Sequence, residues 1–301
     1  MSQPTTPSPR PPASVASLRP LVIASGVLIL LFCLPLYNLV RFALGSSLYS
    51  HIVLIPFISL YLARQRLSAE PDSSQPNRPL SIAFFAIGLT AIISWGLYTL
   101  QGNSLARENS LALTTFSFLA FFSGVCTWLM GRQTLRRLLF PLAFLLFMVP
   151  MPIFLEAWTE TILQHGSASV AHALFSVAGT SVFVDGLVFQ LSTITIQVAP
   201  ECSGIHSSLA LLITSIVAGP LFLRSPTRRT LLALSVLPLA LLRNGLRVFI
   251  IGELCVRIGP EMINSYIHRH GGPVFFILSL IPFSLLLLLL VRSERKARLK
   301  P

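Results

Sequence analysis

Charge is what this sequence has least of. Asp and Glu together number 10, and charged residues make up 11% of the 301 positions, against about 25% in an ordinary soluble domain. So little charge excludes a solvated globular surface. Cysteine is scarce as well: Cys33, Cys126, Cys202 and Cys255 form no CxxC pair, which excludes a disulfide framework. The HExxH and GxSxG signatures of metal- and serine-dependent hydrolases are absent. What is present is hydrophobic surface, 53% of the chain, with a formal net charge of +12. The basic residues stand in short clusters between apolar runs, as orientation signals do, and not on an aromatic-laced face, so no nucleic-acid partner is expected.

The partner of such a chain is the lipid bilayer. At roughly 20 apolar residues per crossing, the runs predict an all-α polytopic membrane protein of about eight transmembrane helices. These lie near Leu21 to Val40, Leu48 to Ala63, Leu80 to Leu100, Leu111 to Met130, Leu138 to Leu155, Gly204 to Leu223, Thr230 to Ile251 and Pro273 to Val291. Eight spans put both termini on one side, and most Lys and Arg residues fall in that side's loops, which reads as cytoplasmic. The organisation expected is a disordered cytoplasmic tail over 1–20, Pro- and Ser-rich, then a single membrane domain over 21–292 and a basic cytoplasmic tail over 293–301. The first apolar run lacks a cleavage site and reads as a retained span.

Between Leu155 and Cys202 the pattern changes. Thr159 to Gly179 carries Glu160, Gln164, His165 and His172 at near-helical spacing, which predicts an amphipathic helix on the extracytoplasmic face. Thr180 to Val198 alternates apolar and polar residues around Asp185-Gly186, which predicts a small β-hairpin just before the helix that carries Cys202. A hairpin cannot stand bare in lipid, so it must cap the outer face or pack within the protein.

Three stretches then converge on the outer ends of the last three spans. In VAPECSGIHSS, Cys202 stands at the start of a long apolar helix, where unpaired N–H groups and the helix dipole favour a thiolate. In LLRNGLRVFI, Arg243, Asn244 and Arg247 approach the outer end of the next span, and arginine within an apolar span is costly unless paired or functional. Arg243 could hold a substrate carboxylate or pair with Glu253 or Glu261; Asn244 could donate between helices. In YIHRHGGPVFF, His268 and His270 precede the last span, where an imidazole can exchange a proton with a thiol and a leaving amine. Thiol, imidazole and a cationic stabiliser make up the chemistry of acyl transfer.

These three words, in this order and spacing, resemble the exosortase/archaeosortase family of multi-pass membrane cysteine transpeptidases. YSHIVLIPFISLYLARQR from Tyr49 and FPLAFLLFMVPMP from Phe140 resemble its early spans. The resemblance implies catalytic residues at Cys202, Arg247 and His268, the histidine lying four residues before Gly272 and seven before Phe275-Phe276. Arg243, Asn244 and His270 fall on the substrate side. His206 departs from the arginine that often follows CSGI. The implied function is cleavage of C-terminal sorting signals of the PEP-CTERM kind on secreted proteins, with transfer to an unknown cell-surface acceptor. The implied place is the inner, cytoplasmic membrane with an extracytoplasmic active site. No cofactor is implied. Two other readings of the residues are a zinc-dependent hydrolase built on Cys202, His206, His268 and His270, and a transporter lined by the arginines and histidines.

Overall fold

A computed structural model describes residues 19–67, 75–102, 104–199, 203–265 and 271–299. It is mostly helical and divides into two compact units, Met1–Ile153 and Phe154–Pro301.

The first unit holds α1 (Arg19–Leu31), α2 (Cys33–Gly45), a 3-10 turn at Ser50–Val53, α3 (Ile55–Arg66), α4 (Arg78–Leu100), α5 (Arg107–Leu129), α6 (Arg132–Phe144) and a second 3-10 turn at Leu145–Met148. The α4–α5 pair is held by buried hydroxyls that cross to the facing backbone. Ser81 Oγ donates to Gly124 O at 2.7 Å, and Ser117 Oγ donates to Gly88 O at 2.8 Å. Small residues at the crossing let the backbones come that close, the usual device where lipid removes the hydrophobic drive for helices to associate.

Five helical stretches among the described residues are long and apolar enough to cross a membrane, or up to seven if each of two bent helix pairs counts once. This is fewer than the eight expected, and prolines account for the difference. The first expected span bends by 74° between α1 and α2; Pro35 lacks an N–H, and its ring crowds the carbonyl of Leu31 four residues back. The second, Leu48 to Ala63, becomes the Ser50–Val53 turn followed by only 12 residues of α3, with Pro56 in the first turn. At 1.5 Å per residue α3 is about 18 Å long, short of the roughly 30 Å hydrocarbon core. The fifth, Leu138 to Leu155, leaves helical geometry after Met148, where Val149 is extended ahead of Pro150 and Pro152.

The second unit begins with α7 (Ile153–Ala178), longer than the amphipathic helix expected from Thr159 and buried along a stripe of Leu163, Gln164, Ser167, Ala168, Ala171 and Phe175. It passes as a membrane span only together with Arg132–Met148. The expected hairpin is a three-stranded antiparallel sheet of order β1 (Val182–Asp185), β2 (Val188–Leu191), β3 (Thr195–Gln197). Asp185 pairs with Val188, so Gly186 and Leu187 form the turn, with Gly186 at φ +58°. The third strand follows after a tight reversal in which Leu191 N bonds Ile194 O at 2.9 Å.

α8 (Ile205–Phe222), α9 (Pro226–Leu234), α10 (Val236–Arg257), a 3-10 turn at Pro260–Asn264 and α11 (Gly272–Leu299) complete the unit. The sheet is packed within the protein. Phe189, Leu191, Ile196 and Val198 close a core with Ala171 and Phe175 of α7 and Val248 of α10. Two threonines fasten the sheet region to the end of α10: Thr180 Oγ1 donates to the Glu253 carboxylate, and Thr193 Oγ1 donates to Cys255 O at 3.1 Å. α10 meets α7 at glycines, since a Cβ on Gly245 would lie 2.6 Å from Val170 and one on Gly252 2.4 Å from Phe175. At the far end of α8, Glu294 of α11 accepts from Arg224 N at 3.1 Å and Ser225 N at 2.8 Å and pairs with Arg228 at 3.8 Å. That carboxylate satisfies the start of α9 and fixes the basic turn between α8 and α9.

Candidate active site

α8 starts at Gly204, whose φ of +75° is a left-handed conformation open to glycine and costly for other L-residues. Its carbonyl is the hub of the local network. Ser208 N at 3.0 Å and Ser208 Oγ at 2.7 Å both donate to it, as does Ser207 Oγ at 3.2 Å. A fourth donor arrives from another helix: Arg243 Nη2 of α10 lies 3.0 Å from Gly204 O and 3.1 Å from Ser208 Oγ. Arg243 is 6% exposed and Asn244 2%. The glycine is needed for space as well as angle, because a Cβ there would meet Arg243 Nη2 at 2.8 Å and Asn244 Oδ1 at 3.3 Å.

On the other side of the Pro200–Cys202 segment, the chain is held by the sheet and by α7. Val198 N donates to Leu187 O at 3.0 Å, and Gln164 Nε2 donates to Val198 O at 3.2 Å. Ile196, Gln197 and Val198 face Asn244, Arg247, Val248 and Ile251 across a cleft of about 20 Å³. A volume of that size admits about one water and not a peptide side chain.

Arg243 and Asn244 are thus brought against Gly204 at the start of α8, and Arg247, one turn further along α10, lines the cleft with Val198. Cys202, His268 and His270 lie outside the described residues. Arg243 does not pair with Glu253 or Glu261, as one reading of the sequence had it. Glu253 is taken by Thr180 and by Arg257 at 2.7 Å, and ten residues of helix, about 15 Å, separate it from Arg243. Of the residues in the zinc reading only His206 is described, and it is exposed on α8. Sequence reasoning missed Ser208 and Gln164. Ser208 was within reach: four residues after Gly204, it shares the face of the first turn.

A family model for the transmembrane exosortase matches residues 40–285. The chain belongs to the transmembrane exosortase family. Among curated proteins and among solved structures, none matches. The matched stretch of this exosortase takes in Val198, Gly204, Arg243 and Arg247 and the three-stranded sheet.

Proposed function

We propose that this exosortase is a cysteine transpeptidase that cleaves C-terminal sorting signals of secreted proteins and passes the acyl chain to a cell-surface acceptor. The observation that carries the proposal is the double anchoring of the segment around Cys202. Val198 is held by the sheet and Gln164 on one side, and Gly204 by Arg243 on the other. The described residues on either flank of Cys202 thus meet the two arginines, Gly204 through its bond from Arg243 and Val198 in the cleft it shares with Arg247, which supports the assignment of Cys202 as nucleophile.

In this reading the Cys202 thiolate attacks the scissile carbonyl and Arg247 stabilises the oxyanion that develops. His268 protonates the leaving amine as the C–N bond breaks, and a thioester remains. His268 then takes a proton from the incoming nucleophile of the acceptor, which displaces the thiol. Asn244 and His270 stand on the substrate side. The substrate carries a short motif, one transmembrane helix and a basic tail, as the family implies.

Polarity within the second unit supports an outward-facing site. α8 carries the site at its first residue, and the basic turn of Arg224, Arg228 and Arg229 follows its last, 18 residues away and about 27 Å along the axis. Basic residues mark the cytoplasmic side, which supports a site that faces the extracytoplasmic side of the inner membrane, with the basic tail inside.

The test is co-expression of the full chain with tail-signal proteins, followed by mass spectrometry of their new C-termini and of the enzyme. A covalent adduct on Cys202, trapped before acceptor is added, is expected. Cys202→Ala should abolish cleavage while the protein still inserts and folds. Continued release of processed substrate by that variant would remove the mechanism.

A further inference from the structure

Arg243 has one amino group committed and one left over. Nη2 bonds Gly204 O and Ser208 Oγ, at 3.0 and 3.1 Å, while Nη1 is buried with no hydrogen-bond partner. The ion pairs among the described residues, Arg228 with Glu294 and Arg257 with Glu253, leave the guanidinium without a carboxylate. The charged group next to it on α10, Arg247, has the same sign. With neither a counter-ion nor a full set of acceptors among the described residues, such a buried cation is a net cost to a fold. Nor would its removal leave a local acceptor unsatisfied. With Arg243 absent, Gly204 O still receives Ser208 N, Ser208 Oγ and Ser207 Oγ, and Ser208 Oγ still has Gly204 O.

The spare donor is held at a helix start. The guanidinium lies against Gly204, where Nη2 is 2.8 Å from the glycine's Cβ position, and Gly204 opens an 18-residue helix. The first-turn N–H groups of His206 and Ser207 have no acceptor within the helix, which begins its ladder at Ser208. A buried cation with an open donor therefore packs against the same first turn that carries the positive end of a helix dipole.

We propose that Arg243 Nη1 and the first-turn amides of α8 form a subsite for an anionic oxygen. The ligand is either a carboxylate of the substrate peptide or the oxyanion formed on its attacked carbonyl. The assignment rests on the transpeptidase reading; with a substrate carboxylate Arg243 has a task separate from that of Arg247, and with the oxyanion it is a further donor to the same oxygen.

The test pairs stability with turnover in the full chain reconstituted in nanodiscs, using a tail-signal protein that the unsubstituted enzyme processes. Arg243→Met keeps an unbranched apolar stem without the charge, and is expected to melt no lower than the unsubstituted chain while processing falls about 100-fold or more. A rise in KM with kcat kept identifies a substrate carboxylate; a fall in kcat with KM kept identifies the oxyanion. Arg243→Lys, which keeps charge but cannot both clamp Gly204 and offer a second planar donor, should remain impaired by at least tenfold. A melting point several degrees lower for Arg243→Met, or processing within a few-fold of normal in either variant, overturns the subsite. If Arg243→Met does not insert, the Lys variant decides alone. Should the unsubstituted chain process no tail-signal protein, the transpeptidase reading fails by itself, and the melting comparison still decides whether Arg243 is a structural clamp.

Discussion

Replacing Gly204 with alanine tests the junction between α8 and α10 directly. Two costs add. The first is conformational: at φ +75° an L-residue carries about 1–2 kcal/mol of backbone penalty. The second is steric and electrostatic, because the new methyl carbon would lie 2.8 Å from Arg243 Nη2 and 3.3 Å from Asn244 Oδ1. The guanidinium must then leave Gly204 O and Ser208 Oγ while staying buried, and a hydrogen bond to a charged group is worth about 1.5–3 kcal/mol. The total is about 2.5–5 kcal/mol. Displacing the arginine costs more than deleting it, since displacement strands a buried charge whereas Arg243→Met removes it. Gly186→Ala is the control: it has φ +58° with nothing within 4 Å of its Cβ position, so it carries the conformational part alone, about 1–2 kcal/mol. Thermal unfolding of the two variants in the same nanodiscs should therefore separate them clearly, with processing lost in Gly204→Ala and kept in Gly186→Ala. Equal destabilisation would refute the contact between Arg243 and the start of α8.

Gly252→Ala should destabilise by about 1–3 kcal/mol through overpacking, because its methyl group would fall 2.4 Å from Phe175 Cζ; Phe175→Leu should recover part of that loss, read as non-additivity in a double-mutant cycle. Glu294→Gln should cost about 1–3 kcal/mol, since the carboxylate accepts from Arg224 N and Ser225 N and pairs with Arg228. Because Glu294 sits at the end of α8 away from Gly204, the rate of processing per folded molecule should not change in that variant. A turnover defect there would mean that the two ends of α8 are coupled.

Composition and short patterns determined the solvent of this protein and the kinds of segment it would use. A bilayer selects on summed hydropathy, so α4, α8 and the start of α11 could be read within a few residues from apolar length alone, whereas α11 runs eight residues past the expected Val291, through the basic segment to Leu299. The alternation around Asp185-Gly186 was enough for the hairpin, since strand periodicity and turn chemistry are local. The three words around Cys202, Arg247 and His268 were enough for the family. Breaks within apolar runs were harder, although Pro35 and Pro150 stood in plain view: hydropathy counts how apolar a run is and ignores whether its backbone can stay helical. Only the tertiary structure decided what meets across space. It paired β3 with β2, laid the sheet on α7 and α10, and gave Glu253 to Thr180 and Arg257 and not to Arg243. It also set Arg243 on the carbonyl of Gly204, 39 residues earlier in the chain. No local pattern encodes that contact, because it depends on how α8 and α10 pack and on a glycine with neither the side chain nor the backbone restriction to prevent it.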